Sequence, residues 1–189
     1  MPPKVFISYS HQDGPCAHGI ARYLQRHECD VWIDAQNLKL GDRWAENIET
    51  ALAGADAIIG IISSSSLRRD EVLKEINFGL KRMREEGTEK FRVLFVVIGQ
   101  IHPSWFRNDE STKEIKNHLS KYQYVQLSAY GEITIDAMRM LLRAIHQNGI
   151  DEGSTVFLKE SEEGGFINSN AQPEKAFDNY GNNIYYKVF

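Results

Sequence analysis

Five short runs of apolar, β-branched residues recur along the chain with helical-period segments between them, and this alternation constrains the fold more than any single motif. The runs are Lys4 to Ser8 (KVFIS), Asp30 to Ile33 (DVWI), Ala57 to Ser63 (AIIGIIS), Phe91 to Gly99 (FRVLFVVIG) and Tyr124 to Leu127 (YVQL). Two of them, Ala57 to Ser63 and Phe91 to Gly99, are almost continuously apolar. Strands covered on both faces read that way, whereas a half-wet antiparallel sheet alternates. They predict the middle of a parallel sheet, with Lys4 to Ser8 beside them.

Between the runs, apolar residues recur at helical spacing: Ala17, Ile20, Ala21 and Leu24, then Trp44, Ile48, Ala51 and Leu52, then Val72, Leu73, Ile76, Leu80 and Met83. A fourth helix is predicted to start at Ser111 with a capping box to Glu114 and carries Ile115 and Leu119, and a fifth carries Ile135, Met138, Leu141, Leu142 and Ile145. Strand and helix in turn predict an α/β three-layer sandwich, a five-stranded parallel sheet with right-handed crossovers, over residues 1–148. Residues 149–189 break the pattern: they are Gly-rich, have no helical period, and hold Phe157, Phe166, Phe177, Tyr180, Tyr185, Tyr186 and Phe189. That aromatic content is too high for a solvating tail. A separate C-terminal appendage is predicted, with short strands at Ser154 to Leu158 and Asn183 to Val188 paired as a hairpin.

Charge and cysteine usage narrow the function classes. The 189 residues carry 22 Lys+Arg against 26 Asp+Glu, a net charge of -4, without the basic excess of a nucleic-acid binder. The whole excess lies in residues 151–189, which carry 3 basic and 7 acidic side chains, so residues 1–150 are neutral. Cys16 and Cys29, both placed in the first helical unit, give neither a disulfide framework nor a zinc-ligand spacing, and a reducing cytosol is expected. The start MPPKVFISYS does not read as a leader, and no run approaches the ~20 apolar residues of a membrane span, so neither secretion nor membrane insertion is expected.

In an open parallel sheet, ligands bind outside the carboxyl ends of the strands, where strand order reverses. The loops there are SYSHQDG (Ser8 to Gly14), the long DAQNLKLGD (Asp34 to Asp42) and SSSSLRRDE (Ser63 to Glu71). Each alone is ordinary turn chemistry; three on one edge point to a crevice. Glu75, early in the third helix, sits at the margin of the apolar stripe next to Ile76, and Gly79 one turn later is expected to leave open space beside it. There it either meets developing positive charge or is a solvated carboxylate paired along the helix. The basic run Arg68, Arg69, Lys74, Lys81, Arg82 and Arg84 either attracts an anion or forms a solvated face opposed by Asp70, Glu71, Glu85 and Glu86, the second reading carrying more weight. The histidines at 11, 18, 27, 102, 118 and 146 show no metal-ligand spacing, and no metal is expected.

The segments KVFISYSHQDG, VWIDAQNLKLGDRWAENIETAL, ADAIIGIISSSS and EVLKEI, in this order, resemble a Toll/interleukin-1 receptor (TIR) domain of the bacterial, NAD+-cleaving type from Lys4 to about His146. The resemblance implies a flavodoxin-like strand order and names the loop after Asp34 as the family's BB loop, used in self-association and in gating the pocket. It implies an NAD+ glycohydrolase or ADP-ribosyl cyclase, with NAD+ as substrate and no separate cofactor. The catalytic residue it implies is Glu75. By the same resemblance Ser8 and Tyr9 line the pocket near the ribose and nicotinamide, Asp34, Leu38, Lys39 and Trp44 border the substrate, and Ser63 and Ser64 contact pyrophosphate or ribose. Many catalytic members carry Trp four residues before the glutamate; this chain has Glu71 there.

The implied setting is a cytoplasmic homo-oligomer built by TIR-TIR contacts, switched on by assembly or by a separate sensor or effector protein, in bacterial anti-phage signalling. A non-catalytic TIR adaptor is the alternative. A nucleoside deoxyribosyltransferase, with a related sheet and a glutamate nucleophile, fits the BB-loop sequence least well.

Overall fold

A computed structural model describes residues 1–33, 44–122, 124–146, 176–177 and 183–184. Five strands, β1 (Lys4–Ser8), β2 (Asp30–Ile33), β3 (Ala57–Ile62), β4 (Arg92–Ile98) and β5 (Tyr124–Leu127), form one sheet in the order β2-β1-β3-β4-β5, with every pairing parallel. The apolar runs located all five; β3 and β4 end one residue inside their predicted limits. Five helices alternate with them: α1 (Gly14–Arg26), α2 (Trp44–Gly54), α3 (Asp70–Glu86), α4 (Glu110–Lys121) and α5 (Ile135–His146).

Side-chain alternation sorts the strands' apolar residues into two cores. Val5, Ile7, Ile59, Ile61, Leu94 and Val96 pack with α1 and α5, while Phe6, Ile58, Ile62, Val93, Phe95 and Val97 pack with α2, α3 and α4. Both faces of the sheet are thus covered, which is why β3, and β4 beyond Arg92, lack polar positions. Strand order reverses between β1 and β3, so the loops that follow these two strands flank a switch point.

Side chains fasten the helices to this frame. Arg82 of α3 donates to the carbonyls of Leu52 (3.0 Å) and Ala55 (2.8 Å), satisfying carbonyls at the end of α2, and lies 4.1 Å over the Phe91 ring. Buried Arg92 does the same for α5, donating to Ala144 and Ile145 at 3.1 Å each.

Three expectations are corrected. α4 begins at Glu110, not with a capping box at Ser111: the Asp109 carboxylate accepts the Thr112 N–H at 2.9 Å, and Glu114 reaches instead to Arg84 at 2.7 Å. Gly79 does not leave open space, because a methyl there would lie 2.6 Å from Ile58 Cδ1, so α3 presses directly on β3. Cys29 lies beyond the end of α1, ahead of β2; both cysteines are buried. Among the described residues, Asn183–Ile184 (β7) pairs antiparallel with Ala176–Phe177 (β6), and the predicted strand at Ser154 to Leu158 lies outside them.

Candidate functional site

β1 ends on Ser8, whose side chain falls on the α3 face of the sheet because it alternates with Ile7. Its hydroxyl is buried at 1% exposure and donates to Glu75 Oε2 at 2.6 Å. Glu75 stands in the second turn of α3, half-buried, between buried Leu73 and Ile76. Sequence spacing brought it to the margin of the apolar stripe, and the structure adds a buried hydroxyl from the central sheet. A carboxylate oriented this way, at the carboxyl edge of β1 beside the switch point, can stabilise a cation forming in front of it.

A second carboxylate lies in the same loop cluster, and sequence reasoning did not single it out. Asp13, at the end of a short 3-10 turn over His11–Asp13, accepts through Oδ2 from Ser10 Oγ at 2.6 Å and from Ser63 Oγ at 2.7 Å. Ser63 in turn accepts the N–H groups of Ser65 (3.1 Å) and Ser66 (3.0 Å). One donor and two acceptors exhaust a hydroxyl's capacity, so Ser63 is committed to protein partners. Ser66 closes the turn: it accepts the Ser63 N–H at 2.8 Å and donates to the Ser63 carbonyl at 3.2 Å. Ser64, between them, is exposed. The Ser10-x-x-Asp13 spacing was a visible turn signal, but its bond to Ser63 spans 50 residues and no local pattern announces it.

The other predicted positions divide. Tyr9 falls on the opposite face of β1, packed with the α1 and α5 core and edge-on to His18 of α1 with ring centroids 5.9 Å apart. The structure therefore brings Ser8 to Glu75 and packs Tyr9 on the α1 side. Asp34, Leu38 and Lys39 lie outside the described residues; Trp44 opens α2, and its side chain is likewise outside them. Glu71, where the resembled enzymes carry Trp, is exposed in the first turn of α3.

Electrostatics around the cluster are local. Cys16, in the first turn of α1, has its thiol pushed up to about 12, chiefly by burial and secondarily by the Asp13 charge. Of the basic run, Lys81 pairs with Glu85 at 3.8 Å, Arg82 with Glu86 at 2.6 Å and Arg84 with Glu114 at 2.7 Å, the solvated-face arrangement the sequence favoured. Arg68, Arg69 and Lys74 remain exposed near the start of α3. Among the described residues no group of three or more His, Cys, Asp or Glu side chains could hold a metal ion, and no helix is long and apolar enough to cross a membrane.

The fold is similar to that of a known protein. The TIR domain of the Toll-related receptor TRR-2 from Hydra magnipapillata superposes with a TM-score of 0.54 over 76% of this chain and 98% of that one, at 16% identity, a likeness of fold. No curated protein matches the chain. The family model described as "TIR domain" matches residues 5–142, from the second residue of β1 into α5, and so spans both Glu75 and the Asp13 cluster. The chain belongs to the TIR domain family.

Proposed function

We propose that this TIR domain cleaves the bond between nicotinamide and ribose in NAD+. The observation that carries the reading is the 2.6 Å hydrogen bond from buried Ser8 to Glu75, which fixes a half-buried carboxylate at the switch-point edge. As nicotinamide departs with the bonding electron pair, its pyridinium charge is quenched and the ribose becomes oxocarbenium-like. A fixed carboxylate beside it stabilises that charge more than it stabilises the ground state, which is the condition for catalysis. Water adds to give ADP-ribose and releases a proton; attack by the adenine of the same molecule gives a cyclic isomer instead. Neither route needs a metal or a redox partner. Exposed Ser64 and the residues Asp34, Leu38, Lys39 and Trp44 are proposed to complete the substrate's surroundings, with Tyr9 as an aromatic wall on the α1 side.

TIR domains signal and scaffold by self-association, and the chain shares that coarser role through its family. We place the proposed activity in an assembled, cytoplasmic state, triggered by TIR-TIR contact or a separate sensor, in defence signalling. The test is to incubate the full chain, dilute and crowded, with NAD+ and identify products by mass spectrometry. Turnover is expected in the crowded sample and to fall at least about 100-fold in Glu75→Ala. Turnover that survives Glu75→Ala, or none in any assembled state, sinks the reading and leaves the scaffold role.

A further inference from the structure

We propose that Asp13 is a positioning residue that acts through Ser63 to set the start of α3, and with it Glu75; this rests on the NAD+-cleaving reading. A ladder of bonds connects the two carboxylates. Asp13 Oδ2 orients the Ser63 hydroxyl at 2.7 Å, so that its lone pairs face the N–H groups of Ser65 and Ser66. The turn this builds continues through Arg69 N–H to Ser66 O at 3.0 Å and Leu73 N–H to Arg69 O at 3.0 Å, ending within α3 two residues before Glu75. The same Asp13 oxygen takes Ser10 Oγ at 2.6 Å, which anchors the ladder to the loop after β1, two residues beyond Ser8. Glu75 is therefore located from two sides, directly by Ser8 and through the backbone by Asp13.

Ser10 and Ser63 are buried at 2% and 6% exposure, so loss of the shared acceptor would leave two hydroxyls to re-pair where water has little access. Both bonds fall on one oxygen, which an asparagine amide oxygen can replace. An alanine cannot. This separates a positioning acceptor from a required charge.

The experiment uses the full chain under the assembled conditions above. Asp13→Ala and Ser63→Ala are each expected to lower kcat about tenfold or more with KM within about twofold, and Asp13→Asn to recover kcat to within about threefold of the parent. Asp13→Ala added to Glu75→Gln is expected to cost nothing further, since both act through one group. A KM change without a kcat change, or no recovery in Asp13→Asn, overturns the proposal. A second measurement needs no turnover: amide hydrogen exchange at Ser65 and Ser66 is expected to speed up about tenfold or more in Asp13→Ala and not in Asp13→Asn. If the parent does not cleave NAD+, the function reading fails, and exchange alone decides whether Asp13 holds the turn. Unchanged exchange overturns it.

Discussion

His118, on the sheet-facing side of α4, has its ring stacked on Tyr122 at 4.3 Å and edge-on to Phe95 at 5.0 Å. Its Nε2 is buried with no hydrogen-bond partner. Burial lowers its pKa from 6.5 to about 4, against the raising effect of a bond to the Val93 backbone, with the Arg84 charge lowering it further. The unfolded chain therefore takes up this proton first as pH falls. Its neutral form supports the fold fully above pH 6.5, and that support is lost as pH drops towards 4, about 2 kcal/mol of it by pH 5. Urea unfolding at pH 7 and pH 5 is expected to show this difference, and His118→Phe to remove it; an unchanged difference in the variant refutes the assignment. Ser8 makes the complementary case for function. Its hydroxyl is buried on Glu75 Oε2, so Ser8→Ala removes one bond that orients the carboxylate without opening a large cavity, and NAD+ turnover is expected to fall about tenfold with the unfolding midpoint nearly unchanged. Full turnover in Ser8→Ala would separate that bond from catalysis.

At the scale of elements, α3 is set by how closely it can approach β3 and β4. A methyl on Gly60 would lie 2.9 Å from two Phe95 ring atoms and 3.1 Å from Ile76 Cδ1 of α3. The ring is walled by His118, so Gly60→Ala is expected to destabilise by about 1–2 kcal/mol, net of the entropy gained by replacing a strand glycine. A midpoint in urea equal to the parent's contradicts that packing. α1 gives the opposite sign. It ends with His27 N–H on Leu24 O at 3.0 Å, and Glu28 is then forced to φ 63, a conformation costly for a side chain and free for glycine. Glu28→Gly is expected to raise stability by about 0.5–1 kcal/mol, read in the same titration. These cases show what was legible. Ala57 to Ser63 announced a central strand because covering both faces excludes polar residues locally, and the margin of the α3 stripe found Glu75 because helical period is local too. The cap at Asp109 and the Asp13 bond to Ser63 escaped: Ser111 with Glu114 offered an equally good local cap, and a 50-residue separation is fixed only by the sheet order.

Over the whole molecule, the charge is divided along the chain in a way that bears on assembly. Residues 1–150 are neutral, and residues 151–189 carry the entire net charge of -4. Two copies brought together by their TIR domains therefore repel through these segments, and the repulsion is screened at separations beyond a Debye length of about 8 Å at physiological salt. Raising salt from low to physiological levels is expected to tighten self-association of the full chain. Replacing Glu152, Glu160, Glu162 and Glu163 with Gln brings the net charge to zero without changing length. It should tighten self-association several-fold at low salt and remove most of the salt dependence. If activity follows assembly, NAD+ turnover should rise at lower protein concentration in this variant with the Glu75→Ala defect unchanged, because none of the four substitutions alters a residue of the loops after β1 and β3. Sedimentation at matched concentrations decides: a variant that associates like the parent at every salt shows that the acidic segment is electrostatically silent, and assembly is then governed by the neutral TIR surface alone.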